Sequence, residues 1–126
     1  MTESLPVDVV KGVFAAFGRG DLPAILELLS DDIDWWVVGP PELIPHAGRR
    51  IGKQNVMGFF MAMGGIDFEH FTQSEWIAEG DAVVVVGHER IKVKATGRTA
   101  EFDLVMIFNV RDGKVARFRS FEDTQA

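Results

Sequence analysis

The sequence contains no cysteine. That excludes a disulfide framework, a thiolate nucleophile and a cysteine-ligated metal, and is compatible with a reducing compartment. No apolar run approaches the roughly 18 residues that a membrane-spanning helix needs. The opening MTESLPVDVVKGVF lacks a basic segment followed by a continuous apolar stretch, so no secretory signal is read there. A cytoplasmic protein without membrane association is the expectation. Positive charge is also short, since 13 Lys and Arg stand against 19 Asp and Glu for a formal net charge of −6. A phosphate backbone would be repelled over most of such a surface, which argues against a nucleic-acid partner. Several motifs are missing. The chain has no HExxH, no calcium-type acidic loop, no GxGxxG or phosphate loop and no GxSxG elbow, so neither a metal nor an organic cofactor is expected.

What is present is an ordinary globular composition, 47% apolar and 25% charged over 126 residues, suited to one domain spanning residues 1–126. Val7, Val10, Phe14 and Phe17 recur at helical spacing after Pro6 and before Gly18 and Gly20, which predicts a first helix. Asp21 as N-cap, Pro23 in the first turn and an apolar stripe over Ile25, Leu26, Leu28 and Leu29 predict a second helix ending near Ser30. Ile33, Trp35 and Val37 suggest a strand that stops at Gly39, and residues 39–52 read as a loop and candidate lid. Val56, Phe59, Phe60 and Met63 give one face of a third helix, ended by Gly64 and Gly65. Thereafter the period becomes two. Strands are expected at about 68–78, 82–94, 99–110 and 114–121, separated by Gly80-Asp81, Thr96-Gly97 and Asp112-Gly113. Asp-Gly between alternating runs requires Gly113 in a left-handed turn conformation. Helices first and a meander afterwards make an α+β domain with helices on one face of a curved sheet.

Three segments, FGRGDLPAILELLSDDIDWW, HAGRRIGKQNVMGFF and FNVRDGKVARFRSFED, resemble in order and spacing the landmarks of SnoaL-like, ketosteroid-isomerase-like proteins of the nuclear-transport-factor-2-like superfamily. The resemblance implies a cone-shaped curved antiparallel sheet of cystatin-like topology with three N-terminal helices enclosing a pocket. It also implies a homodimer formed through the outer face of the sheet. The activities it brings include isomerases, cyclases, dehydratases and epoxide hydrolases. By analogy with ketosteroid isomerases, the general base would fall at or next to Val37 and the oxyanion-stabilising acid at Leu104, with Asp103 one residue away. By analogy with limonene-epoxide-hydrolase-like members, the Asp-Arg-Asp apparatus would fall on Lys92, Arg90 and Asp123.

Within that frame Asp123 is the candidate base or water-orienting group and Arg90 its positioning cation, the two sharing one interior cavity. His46 in the loop or His88 is the candidate for a second proton-handling group. Strand alternation puts His88, Arg90 and Lys92 on one face. Val83, Val85, Gly87, Glu89, Ile91 and Val93 form the other, more apolar face, and sequence parity alone leaves open which of the two looks inward. Trp35, Trp36, Phe17, Phe60, Met63, Lys92, Met106 and Phe108 are candidate walls for a small, largely apolar organic ligand. The expected chemistry is cofactor-independent acid–base catalysis of an isomerase, cyclase or hydrolase kind. A non-catalytic ligand-binding domain and a dimeric scaffold are the alternatives.

Overall fold

The structure, a computed structural model, describes residues 5–39 and 47–122. Helix α1 (Pro6–Arg19) begins on a proline that fits a first turn. It buries Val9, Val10, Val13 and Ala16, and ends at Gly20, whose left-handed backbone lets its N–H reach the Ala16 and Phe17 carbonyls. Helix α2 (Leu22–Glu27) is capped by Asp21, whose carboxylate accepts from the Ala24 N–H at 3.2 Å. It stops at Glu27 rather than near Ser30, because Leu29 is already the first residue of strand β1 (Leu29–Val38).

The segment expected to be all loop contains a short strand, β2 (Gly48–Ile51), antiparallel to β1. A bidentate ion pair from Arg49 to Asp34, at 2.7 and 3.0 Å, joins the two. Helix α3 (Lys53–Ala62) and a 3₁₀ turn (Met63–Gly65) follow. The four expected strands are β3 (Ile66–Glu79), β4 (Ala82–Val93), β5 (Thr99–Arg111) and β6 (Lys114–Glu122). Asp112 and Gly113 both take positive φ, 54° and 76°, as a tight hairpin between β5 and β6 demands.

The sheet order is β2-β1-β6-β5-β4-β3. The last four strands form the antiparallel meander read from the sequence, but β1 runs parallel to β6, so the sheet is mixed rather than wholly antiparallel. It stays open and curved, and the three helices pack into its concave side. The core gathers there, with Val10, Leu29, Ile33, Val83, Val85 and Phe108 almost wholly buried. Each such side chain contributes about 2 kcal/mol through the area it removes from water. Among the described residues no helix is long and apolar enough to cross a membrane.

Besides the shift between β1 and β6 at Leu29/Asp34, two strands carry irregularities. Strand β3 shifts register against β4 at Phe68/His70 and again at Gln73/Glu75. At the second shift its backbone closes over Gly87, so that a Cβ there would lie 2.6 Å from the Thr72 carbonyl oxygen. The other irregularity is in β6, where Arg117 pairs with Asn109 but Val115 pairs with Val110. One residue is thereby left over, and Val115 and Phe118 are both buried although they stand three apart.

Candidate functional site

Between the helices and the concave face lies a cavity of about 80 Å³. A second hollow of about 250 Å³ adjoins it beside α2 and the end of α3, the two sharing Phe17, Ile25, Phe60, Met63 and Phe68. The inner cavity is walled mainly by aromatic rings. Trp35 stacks on Phe118 with ring centroids 4.0 Å apart and meets Phe59 and Phe60 at 5.4 and 5.5 Å. Phe14 meets Phe108 and Phe71 at 5.7 and 5.9 Å. Stacked, tilted and edge-on ring pairs of this kind fill space with large, rigid apolar surfaces.

Among the described residues, polar groups enter this apolar space from β1, β4 and β6. The inward set on β4 is Val83, Val85, Gly87, Glu89 and Ile91, and it brings Glu89 to the cavity with 3% of its surface exposed. Strand β6, in the parity that its extra residue imposes, brings Phe118, Ser120 and Glu122. The Ser120 hydroxyl donates to Glu122 Oε1 at 3.3 Å, while Glu122 Oε2 has no hydrogen-bond partner. The indole N–H of Trp35, on β1, is buried and likewise unpartnered. Glu89 has no hydrogen bond or ion pair among the described residues.

Burial of a carboxylate with no cation at hand disfavours its charged form. For Glu89 that desolvation pushes the pKa up to about 7, moderated by the positive charge of His88 on the opposite face. Glu122 is pushed up to about 8, by burial first and then by the charge of Glu89, with the Ser120 hydroxyl acting the other way. Two carboxyl groups poised to exchange protons near neutrality therefore share one apolar cavity.

The sequence expectations divide sharply here. Trp35, Phe17, Phe60, Met63, Met106 and Phe108 line the cavity. His88, Arg90, Lys92 and Trp36 do not, because the apolar set on β4 is the inward one and Trp36 follows the inward Trp35. On the outer face, His88 is held between Asp103 Oδ1 at 2.8 Å and Glu101 Oε2 at 2.7 Å. Arg90 pairs with Glu69 at 2.8 Å and Glu101 at 3.2 Å. Lys92 is exposed, and Trp36 lies under the Arg49 guanidinium with 38% of its surface in solvent. His46 and Asp123 lie outside the described residues, so of the expected Asp123–Arg90 pair only the arginine is placed, and it points away from the cavity. Val37 and Leu104 do line the cavity, as apolar side chains, and the neighbouring Asp103 faces outward with no register shift between β4 and β5 to turn it. The carboxyl groups of this cavity stand instead on β4 and β6. Among the described residues no three His, Asp or Glu side chains converge as a metal site would require.

Residues 10–118 match the family model of the SnoaL-like domain. The chain belongs to that family. An NTF2-like protein from Burkholderia xenovorans is similar in structure, with a TM-score of 0.83 and 34% identity, covering 98% of this chain and 93% of that one. TerC, co-crystallized with polyporic acid, has a TM-score of 0.76 and 26% identity over 96% of this SnoaL-like chain and 93% of its own. An uncharacterized protein of Mycobacterium tuberculosis is 25% identical over 123 residues, 96% of this chain and 91% of the relative.

Neither Glu89 nor Glu122 is among the residues that sequence reasoning put forward for the site. A signal existed for Glu89, the lone titratable residue in an otherwise apolar alternating set. Glu122 gave none, because the extra residue in β6 breaks the alternation that would have revealed its face.

Proposed function

We propose that this SnoaL-like protein binds a small, largely apolar organic molecule in the inner cavity and transforms it by cofactor-independent acid–base chemistry, of the isomerase, cyclase or hydrolase kind. The observation that carries this is the pair of carboxyl groups, buried Glu89 and partly buried Glu122, on an otherwise largely apolar wall. Glu89, the first to ionise, is the base. Glu122, which holds its proton longer, is the acid, presenting it to an oxygen on which negative charge develops. The Trp35 N–H is a further donor for such an oxygen. Exclusion of water strengthens each of these contacts. TerC, whose fold is similar, was co-crystallized with an organic ligand, which supports the reading of a ligand-holding cavity here.

The test is turnover of a panel of cyclic ketones, epoxides and polyketide-like esters by the purified protein. The pH profile of an active substrate rises as Glu89 ionises through about 7 and falls as Glu122 loses its proton through about 8. Glu89→Gln and Glu122→Gln each reduce kcat by about 100-fold or more. Turnover unchanged in both variants would remove the two carboxyl groups from the chemistry, and no turnover of any substrate by the wild-type protein would leave ligand binding without catalysis as the better reading.

We also propose that the protein is a homodimer joined through the outer face of the sheet. Val38, Phe121, Val105 and Val86 are successive partners across four strands and form an apolar row on that face. Arg117 and Arg119 lie on one side of this row, near Asp34, and Glu101 and Asp103 lie on the other. A second copy turned over about a two-fold axis along the row sets the arginines of each over the carboxylates of its partner.

A further inference from the structure

We infer that the inner cavity selects for positive charge, and that its ligand is a hydrophobic amine whose ammonium group is seated on the Glu89 carboxylate. The inference rests on the reading of the cavity as a ligand site and not on turnover.

Donors and acceptors in the cavity are out of balance. Glu89 is 97% buried, its exposure being 3%, and among the described residues neither of its oxygens has a partner. Glu122 keeps its proton, and with Oε1 accepting from Ser120 that proton lies on the unpartnered Oε2 as an O–H donor. The Ser120 hydroxyl has spent its proton on Glu122 Oε1 and keeps lone pairs free. Against the two oxygens of an ionised Glu89 and the Ser120 lone pairs stand two unpartnered donors among the described residues, the Trp35 N–H and the Glu122 O–H, and neither carries a charge to offset the carboxylate. A primary ammonium brings up to three N–H donors, the complement of that set, whereas a carboxylate or phosphate brings acceptors only.

The walls point the same way. Among the described residues no Lys, Arg or His lines the cavity, so an anion would find no countercharge there. The titratable groups that face it are Glu89 from β4 and Glu122 from β6, while α1, α2, α3, β1, β3 and β5 contribute no titratable side chain to its lining. Behind Glu89, on the outer face, stand His88 and its partners Glu101 and Asp103. Aromatic rings, Phe14, Phe60 and Phe108 among them, line the cavity, and an aromatic face attracts a cation most strongly where water is excluded. Charge also balances, since one ammonium offsets one ionised carboxylate and Glu122 keeps its proton. Where Glu89 is still protonated, the ammonium displaces that proton to solvent, so binding strengthens as pH rises and levels off once Glu89 is fully ionised.

Three probes of nearly the same shape separate the possibilities, namely 2-phenylethylammonium, 2-phenylethanol and phenylacetate. Titration calorimetry at pH 6.5 and 8, in buffers of different ionisation heat, reads both affinity and protons released. The amine should bind about tenfold or more tightly than the alcohol at pH 8, with release of a proton at pH 6.5, and phenylacetate should be the weakest. Glu89→Gln, an isosteric change whose folding is checked by its thermal melt, should bring the amine down to the level of the alcohol while leaving the alcohol unchanged. Glu122→Gln should retain the preference for the amine. If the alcohol or phenylacetate matches the amine in the wild-type protein, or if Glu89→Gln keeps the preference, the charge assignment is overturned and the cavity still stands as a ligand site. If none of the three binds, both readings fall.

Discussion

Glu89 and Glu122 look into one cavity from strands that are separated by β5, and burial holds both carboxyl groups above their ordinary range, at about 7 and about 8. Their protons are bound more tightly in the folded protein than in the unfolded chain, where the ordinary value is 4.5. Stability from these groups is therefore fully present below about pH 4.5 and declines as pH rises through about 7 and 8. Glu89→Gln cannot ionise and escapes that decline. Thermal melts should show the variant equal to wild type near pH 5 and more stable at pH 8.5 by roughly 2 kcal/mol. Equal melting temperatures at pH 8.5 would mean that Glu89 is not desolvated.

His88 carries the opposite sign on the outer face. Hydrogen bonds to Asp103 and then Glu101 raise its pKa above 6.5. The stabilisation they provide is complete below that ordinary value and disappears as pH rises through the raised one. His88→Gln should lower the melting temperature at pH 5.5 and change it little at pH 9. The reverse order would show that the two carboxylates do not hold the imidazolium in solution.

Replacing Gly87 should be costly although the residue bears no chemistry. A Cβ at that position would press on main chain, the Thr72 carbonyl at 2.6 Å, and not on a side chain that can swing away. Gly87→Ala is expected to lose about 2 kcal/mol or more in urea denaturation. An unchanged midpoint would show that the β3 backbone yields freely.

The dimer proposal turns on the apolar row of the outer face. Val105 and Phe121 pair across β5 and β6 with 36% and 41% of their surfaces exposed. Val105→Lys should convert a dimer to a monomer by light scattering at micromolar concentration and leave the circular dichroism spectrum as it was. A wild-type protein that is monomeric under those conditions removes the proposal.

Much of the fold was legible because its elements keep one period for many residues. The helices around Val10 and Phe59 and the long strands of the meander do so. Strand β2 was not, since four residues, Gly48-Arg49-Arg50-Ile51, carry no alternation to read and are defined by pairing with β1. The cavity's aromatic walls followed from the same periodicities. Its carboxyl groups did not. On β4 two faces competed, one with His88 and Arg90, the other with a single Glu89 among valines. The charged face is the solvated one, paired to Glu69, Glu101 and Asp103 across neighbouring strands, and those long-range partners are invisible along the chain. On β6 the extra residue before Phe118 inverts the alternation.

The close approach of β3 to Gly87 bears on how such a molecule can change its diet. There main chain meets main chain, and neither Gly87 nor Thr72 is among the residues that line the cavity. Trades among Leu104, Met106, Phe118 and Val37 can resize and reshape the chamber, and even move its carboxyl groups between strands, without touching the glycine that lets the sheet curl. Form and taste are thus separately adjustable, the first resting on a missing methyl group and the second open to revision one residue at a time.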